Sequence, residues 1–150
     1  MKLIFCPLFA VLFAILPRFS LAEDKGKKAK RKPSNDQVVL AQSTFRTFLR
    51  CGADPKNKDN EDELLKCMSA TMTSAAGPQA TRYSALFHTG APISEAGICD
   101  RANQNLVDKY EQHQFELCLC FKTESYTSEK TGFVFFRLEK GMLKISKIKW

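Results

Sequence analysis

The chain has 150 residues, a formal charge of +7, six cysteines and twelve phenylalanines. A chain this long suits one domain that buries about two thirds of its unfolded surface, so a packed core carries the fold and disulfides reinforce it. The charge does not mark a nucleic-acid binder: Lys2, Arg18 and six basic residues between positions 25 and 32 supply most of the excess, and from Ser34 onward 15 basic and 14 acidic residues leave +1.

Residues 1–22 read as a secretory signal peptide. Lys2 opens it, Leu3 to Leu16 is an apolar run ending at Pro17, and Ser20-Leu21-Ala22 offers small residues where a signal peptidase cuts. The run is shorter than the roughly 20 residues a membrane span needs. Cleavage before Glu23 removes Cys6 and leaves Cys51, Cys67, Cys99, Cys118 and Cys120 in a secreted or periplasmic chain. Residues 23–33 lack large apolar side chains and carry Lys25, Lys27, Lys28, Lys30, Arg31 and Lys32. Their mutual repulsion predicts a disordered basic tether, either a plain linker or a weak, salt-sensitive attachment to an anionic membrane or cell-wall surface.

A single α+β domain is expected over residues 34–150. Val38, Ala41, Phe45 and Phe48 recur at helical steps from Ser34 to Cys51, with Ser34, Asn35 or Asp36 as cap and Gly52 as terminator. A polar loop, Ala53 to Asp59, leads to a second helix in which Asn60 and Glu63 resemble a capping box. Leu64, Leu65, Met68 and Met72 are its buried face, and Gly77-Pro78 its expected end. Between positions 79 and 114 the pattern weakens: Tyr83, Leu86 and Phe87 suggest a short helix or strand, Gly90 to Pro92 a turn, and Leu106, Val107 and Tyr110 a helical patch.

The remainder reads as strands. Phe115, Leu117, Leu119 and Phe121 alternate with Glu116, Cys118, Cys120 and Lys122, the period of a half-buried strand. Phe133 to Leu138 is apolar on both faces, as an interior strand would be, and Lys140-Gly141 is a tight turn. After Leu143 and Ile145 the apolar phase shifts to Ile148 and Trp150, which predicts a β-bulge near Ser146 or Lys147. The fold class that follows is α+β: two N-terminal helices on a curved antiparallel sheet forming an open cone, reinforced by disulfides. Residues 130–150 hold six basic and one acidic residue, so the last hairpin is the basic surface the domain itself offers.

With its two helices, long antiparallel strands and final Gly-Met-Leu-Lys-Ile-Ser-Lys-Ile-Lys-Trp, residues 141–150, the stretch from Gln37 to Trp150 resembles the nuclear transport factor two-like superfamily, the cystatin-like cone. The resemblance implies a cavity within the cone and either isomerase or dehydratase chemistry or simple ligand or protein binding. It carries no catalytic residue over, because the positions that would supply them fall in residues 79–114.

Exported cysteines are read first as disulfides. Cys51 and Cys67 would staple the two helices, and Cys99 would take Cys118 or Cys120, leaving an odd cysteine that could bridge two chains into a homodimer. Cys118 and Cys120 share one strand face, so a redox pair or a soft-metal site with Cys99 or His113 is the competing reading. Motifs of the common hydrolases, phosphate-binding loops, zinc proteases and dinucleotide enzymes are missing from the sequence. Tyr83, His88, Asp100, Asp108 and Tyr110 are the residues that could meet for acid–base work. The expected function is a non-enzymatic exported binding domain, needing no cofactor or metal, for a protein partner or small apolar ligand. A cone-fold isomerase or dehydratase is the alternative.

Overall fold

A computed structural model describes residues 32–88, 92–110, 115–125 and 128–150. The expected signal peptide, tether residues 23–31, most of the Gly90–Pro92 turn and His113 lie outside them. Residues 32–150 form one compact unit of five α-helices, one 3-10 helix and four strands among the described residues.

The first helix, α1, runs Asn35–Ala53. Ser34 caps it through a reciprocal box: the Gln37 backbone N–H donates to Ser34 Oγ at 3.2 Å, and the Ser34 N–H donates to Gln37 Oε1 at 3.0 Å. This satisfies two backbone donors that a helix start leaves open. Ala41, Phe45, Phe48 and Cys51 form its buried stripe. Gly52, expected to end the helix, lies inside it. A Cβ there would overlap the Phe87 ring, so glycine serves close approach rather than termination.

The expected loop at 53–59 contains a one-turn helix, α2, Pro55–Lys58. Asp54 caps it by accepting from the Lys56 N–H at 2.9 Å, and proline suits its first turn. Helix α3, Glu61–Thr71, starts at Asn60, whose Oδ1 accepts from the Glu63 N–H at 3.3 Å. It stops well before Gly77-Pro78. Met72 leaves the helix to bridge Ile145, and the Thr73 N–H donates to the Ile145 carbonyl at 2.9 Å, so an edge strand competes successfully for the backbone. Gly77 and Pro78 instead open the 3-10 helix, Gly77–Tyr83, which is followed by α4, Ala85–His88. The helical patch near Val107 is α5, Arg101–Lys109, capped by Asp100.

The strands β1 (Gly97–Ile98), β2 (Leu117–Ser125), β3 (Ser128–Glu139) and β4 (Met142–Lys149) form one antiparallel sheet in sequential order. Lys140 and Gly141, both at positive φ (51° and 79°), make the β3–β4 turn. The predicted bulge is present. Phe135 pairs with Lys147 and Phe136 with Ile145, leaving Ser146 as the extra residue, and its hydroxyl donates to the Phe135 carbonyl at 3.1 Å.

On one face, Phe45 and Phe48 of α1 and Met68 of α3 pack on Leu119, Phe121, Val134, Phe136 and Ile145. Helix α1 crosses that face from the β1 side, where Gln42 donates to the Ala96 carbonyl, to β4, where Thr44 donates to the Leu143 carbonyl. On the other face, Val107 of α5 packs on Phe133 and Phe135 with Cys99. The α+β architecture with helices on an antiparallel sheet is therefore as expected, with one addition: α5 covers part of the second face. Leu138, expected to be interior, is 60% exposed because the hairpin extends past the core.

Candidate binding face

The second sheet face is built by the pairing register. Residues opposite one another in an antiparallel pair project to the same side. Phe133 pairs with Lys149, Phe135 with Lys147, Arg137 with Lys144 and Glu139 with Met142. Four cations and one exposed methionine thus share the side on which Phe133 and Phe135 contact α5. The bulge makes this possible. In a regular strand Lys144 and Lys147 would point to opposite faces, and Ile148 would leave the core. With Ser146 extra, Ile145 and Ile148 both reach the helix-side core while Lys144, Lys147 and Lys149 stay together.

The aromatic floor meets the cations at Tyr110. Its ring stands edge-on to Phe133 and Phe135, with centroids 5.8 and 5.9 Å away, and the Lys149 ammonium lies 3.5 Å from its centroid. Partial burial there, with neighbouring Lys147 second, lowers the Lys149 pKa below its ordinary value. The Lys144 ammonium turns toward the Ala70 carbonyl at the end of α3, a favourable place for a cation. Glu139, the acidic residue at the turn end of this hairpin, is engaged elsewhere: its carboxylate accepts from the Ser74 N–H and, at 2.6 Å, from the Ser74 hydroxyl. Those bonds, the hydroxyl's foremost, hold its carboxyl below the usual range.

The cysteines frame the fold. Cys51–Cys67 joins α1 to α3, as expected, and Cys99–Cys120 decides between the two partners left open for Cys99. Cys118 takes part in neither bond; its half-buried sulfur lies 3.7 Å from the Leu119 carbonyl oxygen. With Cys120 bonded to Cys99, Cys118 and Cys120 do not stand as a dithiol. Among the described residues no group of three or more His, Cys, Asp or Glu is placed to hold a metal.

The candidate acid–base residues are not brought together. Tyr83 packs on Phe48 and Trp150 at the β4 edge, where its oxygen accepts from the Ile148 N–H at 3.4 Å. Tyr110 lies on the opposite sheet face. Asp100 is the α5 cap, accepting from the Asn103 N–H at 2.8 Å, and Asp108 accepts from Gln104. The His88 side chain lies outside the description. Of the tether, Lys32 is described and is exposed.

What sequence reasoning missed is the grouping of Arg137, Lys144, Lys147 and Lys149. Its signal was the coincidence of the phase change in Lys-Ile-Ser-Lys-Ile-Lys with the basic excess of the last hairpin. No protein-family model, curated protein or solved structure matches the chain.

Proposed function

We propose that the chain is an exported, non-enzymatic binding domain that works beside an anionic envelope surface. The observation that carries this reading is the pair of disulfides, which brace separate parts of the fold and belong to an oxidising, extracytoplasmic compartment. No helix among the described residues is long and apolar enough to cross a membrane. The signal peptide at 1–22 supplies the route, and the six cations of residues 25–32 supply weak attachment of about 1 kcal/mol each near an anionic bilayer. Grouping the domain with the nuclear transport factor two-like proteins is part of this reading and rests on the sequence, on the order of elements from Gln37 and the closing residues 141–150. Of the two ligand classes, packing favours a partner taken on the surface: Phe45, Phe48, Phe121 and Phe136 fill the helix side of the sheet, each at most 1% exposed.

The test is expression from the native sequence, with N-terminal sequencing, thiol mapping and fractionation at low and high salt. The expected product starts at Glu23, carries both disulfides, and sediments with the envelope until salt releases it. Replacing Lys25, Lys27, Lys28, Lys30, Arg31 and Lys32 by glutamine should weaken that association. A reduced chain retained in the cytoplasm with its first 22 residues would overturn the reading.

A further inference from the structure

We infer that the Arg31–Lys32 peptide bond is a processing site, at which an endoprotease of trypsin-type specificity cuts the folded domain from its basic segment and so releases it from the envelope surface. The inference rests on the exported, surface-attached reading and adds its regulation.

Lys25, Lys27, Lys28, Lys30, Arg31 and Lys32 each offer such an enzyme a cation for its acidic specificity pocket. Proline decides where cutting ends. The Lys32–Pro33 bond carries a ring on its nitrogen in place of a hydrogen, which a cleft shaped for an ordinary amide rejects, so the last bond open to hydrolysis is Arg31–Lys32. Proline also turns the residue before it away from the helical region, so Lys32 enters the cleft extended, the form in which proteases hold a substrate.

The folded unit sets the same boundary from its own side. Lys32 is exposed and belongs to no helix or strand, and the compact unit starts with it. Two residues later Ser34 closes its box with Gln37, so a chain that begins at Lys32 keeps the α1 cap. Of the 15 Lys and Arg residues from Ser34 onward, Lys140 sits in the β3–β4 turn and every other lies in a helix or strand. Cutting beside them requires local unfolding, which the hydrogen bonds of those elements and the two disulfides oppose. The single turn α2, with Lys56 and Lys58, lies within the Cys51–Cys67 loop, so even a nick there frees no fragment.

Hydrolysis adds one water across the bond and leaves a carboxylate on Arg31 and an ammonium on Lys32. Five of the six cations depart. The remaining side chains carry +2, the +1 of the residues from Ser34 onward plus Lys32. At about fivefold in surface partition for each cation, the loss is on the order of a thousandfold.

The experiment digests the purified, oxidised chain starting at Glu23 with trypsin, reads intact masses with and without reductant, and sediments the products with vesicles of equimolar phosphatidylcholine and phosphatidylglycerol at low salt. Cuts should fall ahead of Pro33 only, the furthest product running from Lys32 to Trp150 and staying in the supernatant while the uncut chain pellets. Arg31→Gln should move the furthest start one residue back, and Pro33→Ala one residue forward. A first cut inside residues 34–150, or a product from Lys32 that pellets like the uncut chain, overturns the inference. In the cells that make the protein, N-terminal sequencing should find Glu23 in the envelope fraction and Lys32 in the soluble fraction. Soluble protein that still starts at Glu23 overturns processing as the route of release. If that occurs while salt still frees an envelope-bound chain, the inference fails and the attachment reading survives; an uncut chain that never pellets with anionic vesicles sinks both.

Discussion

Glu139 shows how one side chain ties distant parts of the chain and sets an acid dependence. Its carboxylate holds Ser74, 65 positions away, just past the stretch in which Met72 and Thr73 meet β4. Because its folded pKa is depressed below 4.5, the stabilisation is complete above that value and is lost as pH falls through the lower folded pKa. Thermal melts of wild type and Glu139→Gln should therefore differ at neutral pH and converge in acid; a constant difference would refute this role. Side chains at this scale were partly legible. Ser34, Asn60 and the Lys140-Gly141 turn announce themselves by short-range chemistry, whereas Ser74 and Glu139 are partners only because the fold brings them together. Gly52 was misread for the same reason. A glycine after a helical stripe resembles a terminator, but the Phe87 ring that requires it comes from a later helix.

Among the elements, β4 carries the most consequence. A strand that alternated regularly after Ile145 would direct Lys147 and Lys149 into the helix-side core and Ile148 outward. Deleting Ser146 should force that arrangement or break the pairing. Burying lysine charge and exposing a core isoleucine together cost several kcal/mol. Ser146→Ala, which keeps the residue and loses only the bond to the Phe135 carbonyl, should cost about 1 kcal/mol. Denaturant titration checks both, and similar losses in the two variants would show that the hydroxyl, not the extra residue, matters. This bulge was legible because a period-two pattern records a slip of one residue directly. The end of α3 was not, because the backbone of Met72 and Thr73 leaves the helix for a partner more than seventy residues away.

For the whole molecule, the two disulfides and two-sided sheet define a domain whose helix face is core and whose second face is divided between α5 and a cationic row. Replacing Cys51 and Cys67 together by alanine removes a link across 16 residues and should cost about 3 kcal/mol, read as a lowered melting temperature under non-reducing conditions. An unchanged melt would mean that packing of α1 on α3 alone sets the stability. From the sequence by itself came the α+β class, both outer helices, the strand series, the bulge and the Cys51–Cys67 bond, because each rests on local periodicity or on the proximity of two consecutive helices. The tertiary structure alone decided that Cys99 takes Cys120, that α5 covers part of the second sheet face, and that Arg137, Lys147 and Lys149 share the face on which Lys149 meets Tyr110. Those outcomes depend on register between strands, and register is a relation between segments that neither segment encodes alone.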